Sequence, residues 1–149
     1  MKIGDQLATR LHDRFMKPIG FRKKAHTYSR EHGEYGEHYN IQGSAWNSVD
    51  VPWTFYFNCG ISFPDLPVKS PGVGMWKYHA HTRLTRFDKA APAQYEITEG
   101  NLDEVVDQLG TSILKCVGYF QKAHGVLRQS YLDNRYDAGF PYDPQNKIC

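Results

Sequence analysis

The run from Trp53 to Phe63, WTFYFNCGISF, alternates without a break. Phe55, Phe57, Cys59 and Ile61 take one parity, and Thr54, Tyr56, Asn58 and Gly60 take the other. Period-two alternation sends successive side chains to opposite faces of a strand. This stretch therefore demands a sheet with one buried face and one open face, which is the habit of antiparallel sheets. The aromatic content, 14% with ten tyrosines, suits a sheet-rich chain.

The flanks supply the cover for the buried face. Ile3, Leu7, Leu11 and Phe15 recur every four residues, with Ile19 near the same stripe, and predict an amphipathic helix ended by Pro18 and Gly20. GFRKKAHTYSRE reads as a first strand, with Phe21, Lys23, Ala25 and Thr27 alternating with Arg22, Lys24, His26 and Tyr28. EHGEYGE turns the chain, and Tyr39 and Ile41 alternate with Asn40 and Gln42 in a second strand ending near Gly43. That strand is expected beside the Trp53–Phe63 strand as an antiparallel neighbour. PDLPVKSPGVGMW reads as a loop, and YHAHTRLTRF and QYEIT as further strands.

Leu102, Val105, Leu109, Ile113, Cys116 and Phe120 then follow helical spacing. Asn101 with Glu104 approximates a capping box, and Gly125 is the expected C-cap. Beyond Gln129 the chain is polar and Tyr-rich; one helical turn is expected around SYLDNRY, and residues 130–149 are otherwise read as an irregular tail. Helix, strands, helix is an α+β order: one domain over 1–149, an antiparallel β-sheet of about four to five strands with N-terminal and C-terminal helices packed on one face. At 149 residues the core needs no staples.

Cys59, Cys116 and Cys149 are far apart, without a C-x-x-C, so reduced thiols and a cytoplasmic location are expected. The start, MKIGDQLATRLHDRF, carries charges throughout and does not read as a secretory signal; no stretch reads as a membrane span. Residues 1–30 hold eight Lys/Arg against two acids, and residues 31–149 hold ten against fourteen. A basic N-terminal segment can meet a phosphate or an acidic partner, yet a pI of about 8.4 is mild for a dedicated nucleic-acid binder.

Four short blocks carry a family resemblance: GFRKKAHTYSR, NIQGSAWNS, FYFNCGI and HTRLTRF, in order from about Phe15 to Phe87. The chain resembles a bacterial family of domains of unknown function, DUF4304. Members often carry a Trp pair after the last block, where this chain reads DKAAPAQYEI. The resemblance implies an α+β intracellular protein and brings no chemistry with it. It nominates Asn40, Gln42, Ser44, Asn58 and Arg83 as matched polar positions.

Asn40, Gln42, Asn58 and Arg83 fall on expected strands, with Ser44 at their edge and His81 beside Arg83. Amides and guanidinium recognise by hydrogen bonds and are poor nucleophiles or bases. These six residues are the expected ligand-binding set, for a protein partner or a small anionic ligand, in a non-enzymatic module that binds through this polar sheet face or the nearby Pro/Gly loop; an immunity or regulatory role fits its size. The competing expectation is that Gln42 and Asn58 satisfy backbone groups at a turn or bulge.

A second reading takes His79 and His81 as imidazole ligands of a metal-dependent hydrolase or nuclease. No third ligand is selected by spacing among His26, His32, His38, Glu34 and Glu37, and Arg83 beside the pair opposes a cation. No metal and no cofactor is therefore expected. Ser44 lies in Gln-Gly-Ser-Ala-Trp and not in G-x-S-x-G, and PGVGMW lacks the Lys of a phosphate-binding loop. A third reading, a weak nucleic-acid binder, uses Arg22, Lys23, Lys24 and Arg30 with Tyr28, and Trp46, Trp53 or Trp76 for stacking. The acidic remainder of the chain disfavours it.

Overall fold

The computed structural model describes residues 1–48, 52–69 and 72–146. Helix α1 (Ile3–Leu11) continues into a π-helical turn (His12–Met16) and a 3-10 turn (Lys17–Ile19), and stops where Gly20 adopts φ +93°. Six strands form the main sheet: β1 (Arg22–Lys24), β2 (Thr27–Glu31), β3 (Gly36–Gly43), β4 (Trp53–Ser62), β5 (Ala80–Arg83) and β6 (Tyr95–Ile97). The order is β1-β2-β3-β4-β5, all antiparallel, and β6 pairs with the start of β4 on the side that β5 occupies further along. Helix α2 (Leu102–Leu132) follows, and β7 (Tyr136–Asp137) and β8 (Phe140–Pro141) close a small hairpin.

The architecture is α+β. Phe55, Phe57, Cys59 and Ile61 are all 2% exposed or less and share one core with Leu7 and Leu11 of α1 and Leu109 and Ile113 of α2. Both helices thus cover one face of the sheet. Phe15 packs at the rim of that core, and Arg10–Asp103 and Arg14–Asp107 ion pairs tie the first helical segment to α2. Cys59 and Cys116 are buried free thiols inside the core; Cys149 lies outside the described residues.

Three local expectations are corrected. The basic stretch read as one strand is a hairpin, β1–β2, with a two-residue loop at Ala25–His26 and Ala25 at φ +52°. No Gly, Asn or Asp marks that loop, so the usual turn signal is missing. The fold-back pairs Lys24 with Thr27 and turns Tyr28 into the core, where its hydroxyl donates to the Ala8 carbonyl at 2.6 Å. Second, α2 runs through Gly125 to Leu132, because Leu127, Ser130 and Tyr131 extend the buried stripe. Its end is a Schellman arrangement: Asn134, at φ +57°, donates to the Tyr131 carbonyl and Arg135 to that of Ser130. Third, the capping box is not made. The Asn101 side chain accepts from the Thr98 N–H and donates to the Glu96 carbonyl, tying the loop before the helix instead of the helix start.

Candidate functional site

Opposite the helices, the register aligns two rows of side chains across the open face. One runs Lys24–Thr27–Asn40–Asn58–Arg83, and the other Arg22–Ser29–His38–Gly60–His81. Residues paired across antiparallel strands point the same way, so each row lies on one face.

The first row is a hydrogen-bonded ladder. Arg83 Nη1 donates to Asn58 Oδ1 at 2.8 Å and to Gln42 Oε1 at 3.2 Å. Asn58 Nδ2 donates to Gln42 Oε1 at 3.0 Å and to Asn40 Oδ1 at 3.2 Å, and Asn40 Nδ2 donates to Thr27 Oγ1 at 3.1 Å. A guanidinium only donates, so Arg83 fixes the orientation of each amide in turn. Asn58, 5% exposed, is satisfied entirely by side chains. Its expected alternative role, holding backbone groups at a turn, is not what the strand does.

The Arg83 guanidinium lies 4.3 Å over the Tyr56 ring, a cation–π contact that sequence parity places beside it. Nη2 and Nε of Arg83 have no hydrogen-bond acceptor among the described residues. A cavity of about 490 Å³ opens over the ladder, walled by Asn40, Gln42, Asn58, Thr82 and Arg83, with His81 at its side. Its roof is the 3-10 turn Gly74–Lys77, whose Trp76 meets the His81 ring edge-on at 4.5 Å. That roof comes from the Pro/Gly-rich loop, which the sequence places near the polar strands. Burial pushes the His81 imidazole below its ordinary value, and the Arg83 charge adds to this.

Ser44 is not in the cavity wall. Its hydroxyl accepts the Trp46 N–H at 3.2 Å and its own N–H bonds the Thr54 carbonyl, so it shapes the turn after β3. His79 also lies apart. It precedes β5; its Nδ1 accepts the Phe63 N–H at 3.0 Å, and its Nε2 donates to the Leu66 carbonyl at 2.9 Å. Both nitrogens are committed to the backbone, which leaves no lone pair of His79 for a metal beside His81. Among the described residues no group of three or more His, Cys, Asp or Glu side chains is placed to hold a metal ion.

The second row centres on His38, 4% exposed, between Ser29 Oγ at 2.9 Å and Ser62 Oγ at 2.7 Å, with Tyr78 stacked on it at 3.6 Å. Burial, with a smaller push from Lys77, lowers its pKa to about 3, so the ring is neutral. His38 shares parity with Asn40 and Gln42, a signal in the sequence that marks it as an open-face residue. Of the tryptophans, Trp53 packs against the core, while Trp46 and Trp76 are exposed.

The family model for a domain of unknown function, DUF4304, matches residues 12–122. The chain belongs to the DUF4304 family. The matched span holds the whole six-stranded sheet, both open-face rows and the roof turn; all of α1, the last turns of α2 and the β7–β8 hairpin lie outside it. The DUF4304 description carries no activity, and no curated protein and no solved structure matches the chain. No described helix of this DUF4304 member is long and apolar enough to cross a membrane.

Proposed function

We propose that the protein is a non-enzymatic binding module whose open sheet face captures a carboxylate, on a small ligand or on a protein partner. The carrying observation is Arg83, held by the side-chain amides of Gln42 and Asn58 and by the Tyr56 ring, with Nη2 and Nε unused beside the cavity. A guanidinium fork with two unused donors matches a carboxylate in geometry and charge. Locking the fork beforehand lowers the entropy lost on binding. The ladder is built from amides and a guanidinium, groups that orient a ligand without exchanging protons at neutral pH.

The test is an NMR titration with acetate and succinate, following the Arg83 Nε–H signal and the side-chain amides of Gln42 and Asn58. Saturable shifts confined to these groups, lost in Arg83→Ala while the melting temperature stays within a few degrees, support the reading. Absence of shifts, or collapse of the fold in both Arg83→Ala and Arg83→Lys, makes Arg83 a structural residue and removes the proposal.

A further inference from the structure

A second cavity, of about 700 Å³, lies at the β1–β2 end of the same face, lined by Arg22, Lys24, Thr27, Ser29, Lys77 and Tyr78. We propose that it is a separate anion subsite that takes the phosphate group of a small ligand. None of its residues belongs to the six assigned to carboxylate capture; Thr27 accepts the last bond of the Arg83 ladder and Lys77 ends the shared roof turn, so separate probes distinguish the two sites.

Three cations converge here from two elements. Arg22 and Lys24 sit two residues apart on β1 and point to the open face, and Lys77 comes from the roof turn. None of the three has a carboxylate partner among the described residues, whereas Arg10, Arg14, Arg30, Arg86, Lys115 and Arg128 are all ion-paired. Lys77 is steadied over the Tyr78 ring at 5.3 Å, and Tyr78 is itself stacked on His38. The three exposed cations line one cavity, from a strand on one side and the roof turn on the other.

The hydrogen-bond ladder adds a directed donor. Every bond in it points from Arg83 toward β1, and it ends where Thr27 Oγ1 accepts from Asn40. The Thr27 O–H proton is left over, with no acceptor among the described residues, beside Lys24. Ser29 offers the same next to Arg22 when His38, which is neutral, carries its proton on Nδ1 and donates to Ser29 Oγ. Three cations and the Thr27 hydroxyl, joined by Ser29 in that His38 tautomer, supply converging donors and positive charge, which fits the several acceptor oxygens and multiple charge of a phosphate. A long polyanion fits less well. Glu31, paired with Gly36, and Glu96, paired with Thr54, stand at two corners of the open face and interrupt a continuous basic track.

The experiment titrates inorganic pyrophosphate into the full chain by NMR and calorimetry. Saturable shifts are expected at the amides of residues 22–29 and 77–78. The Lys24→Ala/Lys77→Ala double variant is expected to bind about tenfold more weakly or worse, with its melting temperature within a few degrees of wild type. Acetate titrated into the same double variant reads the Arg83 cleft separately. The proposal is overturned by shifts spread evenly over all exposed lysines, by absent saturation, or by a double variant whose affinity is within about twofold of wild type. It is equally overturned if (dT)12 binds on the order of a hundredfold tighter than pyrophosphate with a steep salt dependence, since the phosphates would then belong to a nucleic-acid backbone.

Discussion

Glu37 has no exposed surface, and three donors explain how a carboxylate is kept there. Arg30 Nη2 reaches Oε1 at 2.9 Å, His32 Nε2 reaches the same oxygen at 2.5 Å, and the Tyr39 hydroxyl donates to Oε2 at 2.8 Å. Arg30 also donates to the Ile19 carbonyl at 2.6 Å, so the acid holds the guanidinium that holds the end of the first helical segment. Removing one member of a buried pair strands the other. Glu37→Ala is expected to cost roughly 3–5 kcal/mol by urea denaturation; a midpoint equal to wild type would show that water relieves Arg30. His38 makes a pH-dependent contribution to stability. Its pKa falls from an ordinary 6.5 to about 3 in the fold, so the unfolded chain binds more protons between those values. Its share of stability is complete above pH 6.5 and is lost as pH falls toward 3. Differential scanning calorimetry from pH 7 to 5 should show a falling melting temperature in wild type and a shallower slope in His38→Gln. Equal slopes would mean that the ring is protonated without cost.

Helix α2 carries three interior glycines with different neighbourhoods, which gives an internal comparison. A Cβ at Gly110 would lie 2.5 Å from the Phe15 ring, whereas at Gly118 and Gly125 it would meet nothing within 4 Å. Alanine is favoured over glycine in a helix interior by about 1 kcal/mol. Gly118→Ala and Gly125→Ala should therefore raise stability by roughly 0.5–1 kcal/mol each. Gly110→Ala gains the same propensity but must displace a packed aromatic ring, at about 1–3 kcal/mol, and should lower the melting temperature. A Phe15→Leu background should relieve that loss. If all three alanine variants melt above wild type, the first helical segment does not press on α2 as described. Gly125 also shows why the C-terminal end of α2 was misjudged from sequence: glycine is a common terminator, yet the apolar spacing beyond it keeps the helix going, and the actual terminator is Asn134.

Taken as a molecule, the polar ladder was readable because alternation fixes parity and one antiparallel pairing fixes register; Asn40, Gln42, Asn58 and Arg83 had to meet once β3, β4 and β5 were neighbours. The basic cavity was not readable, for it depends on a hairpin turn with no turn residues at Ala25–His26 and on a Pro/Gly-rich loop folding over the sheet. His79 was placed by strand logic, yet it precedes β5, and Ser44 was nominated by the family resemblance; both lie beyond strand ends, where side chains turn to serve the backbone. The same geometry gives β1 a second duty. It is three residues long, and among the described residues it has a strand neighbour on one side only, while β5 at the other edge is flanked by β8 of the C-terminal hairpin. An open edge invites pairing with another chain, and charge on a short edge strand opposes this. Arg22 and Lys24 therefore serve edge protection as well as the proposed phosphate site, and opposite charges separate the two roles. Arg22→Glu/Lys24→Glu keeps the edge charged, so sedimentation velocity at tens of micromolar should show the wild-type association state, with pyrophosphate binding gone. Arg22→Val/Lys24→Val keeps strand propensity but strips the charge, and should self-associate in a concentration-dependent way while also losing pyrophosphate. A valine variant sedimenting as wild type would show that the edge is blocked by something other than its charge.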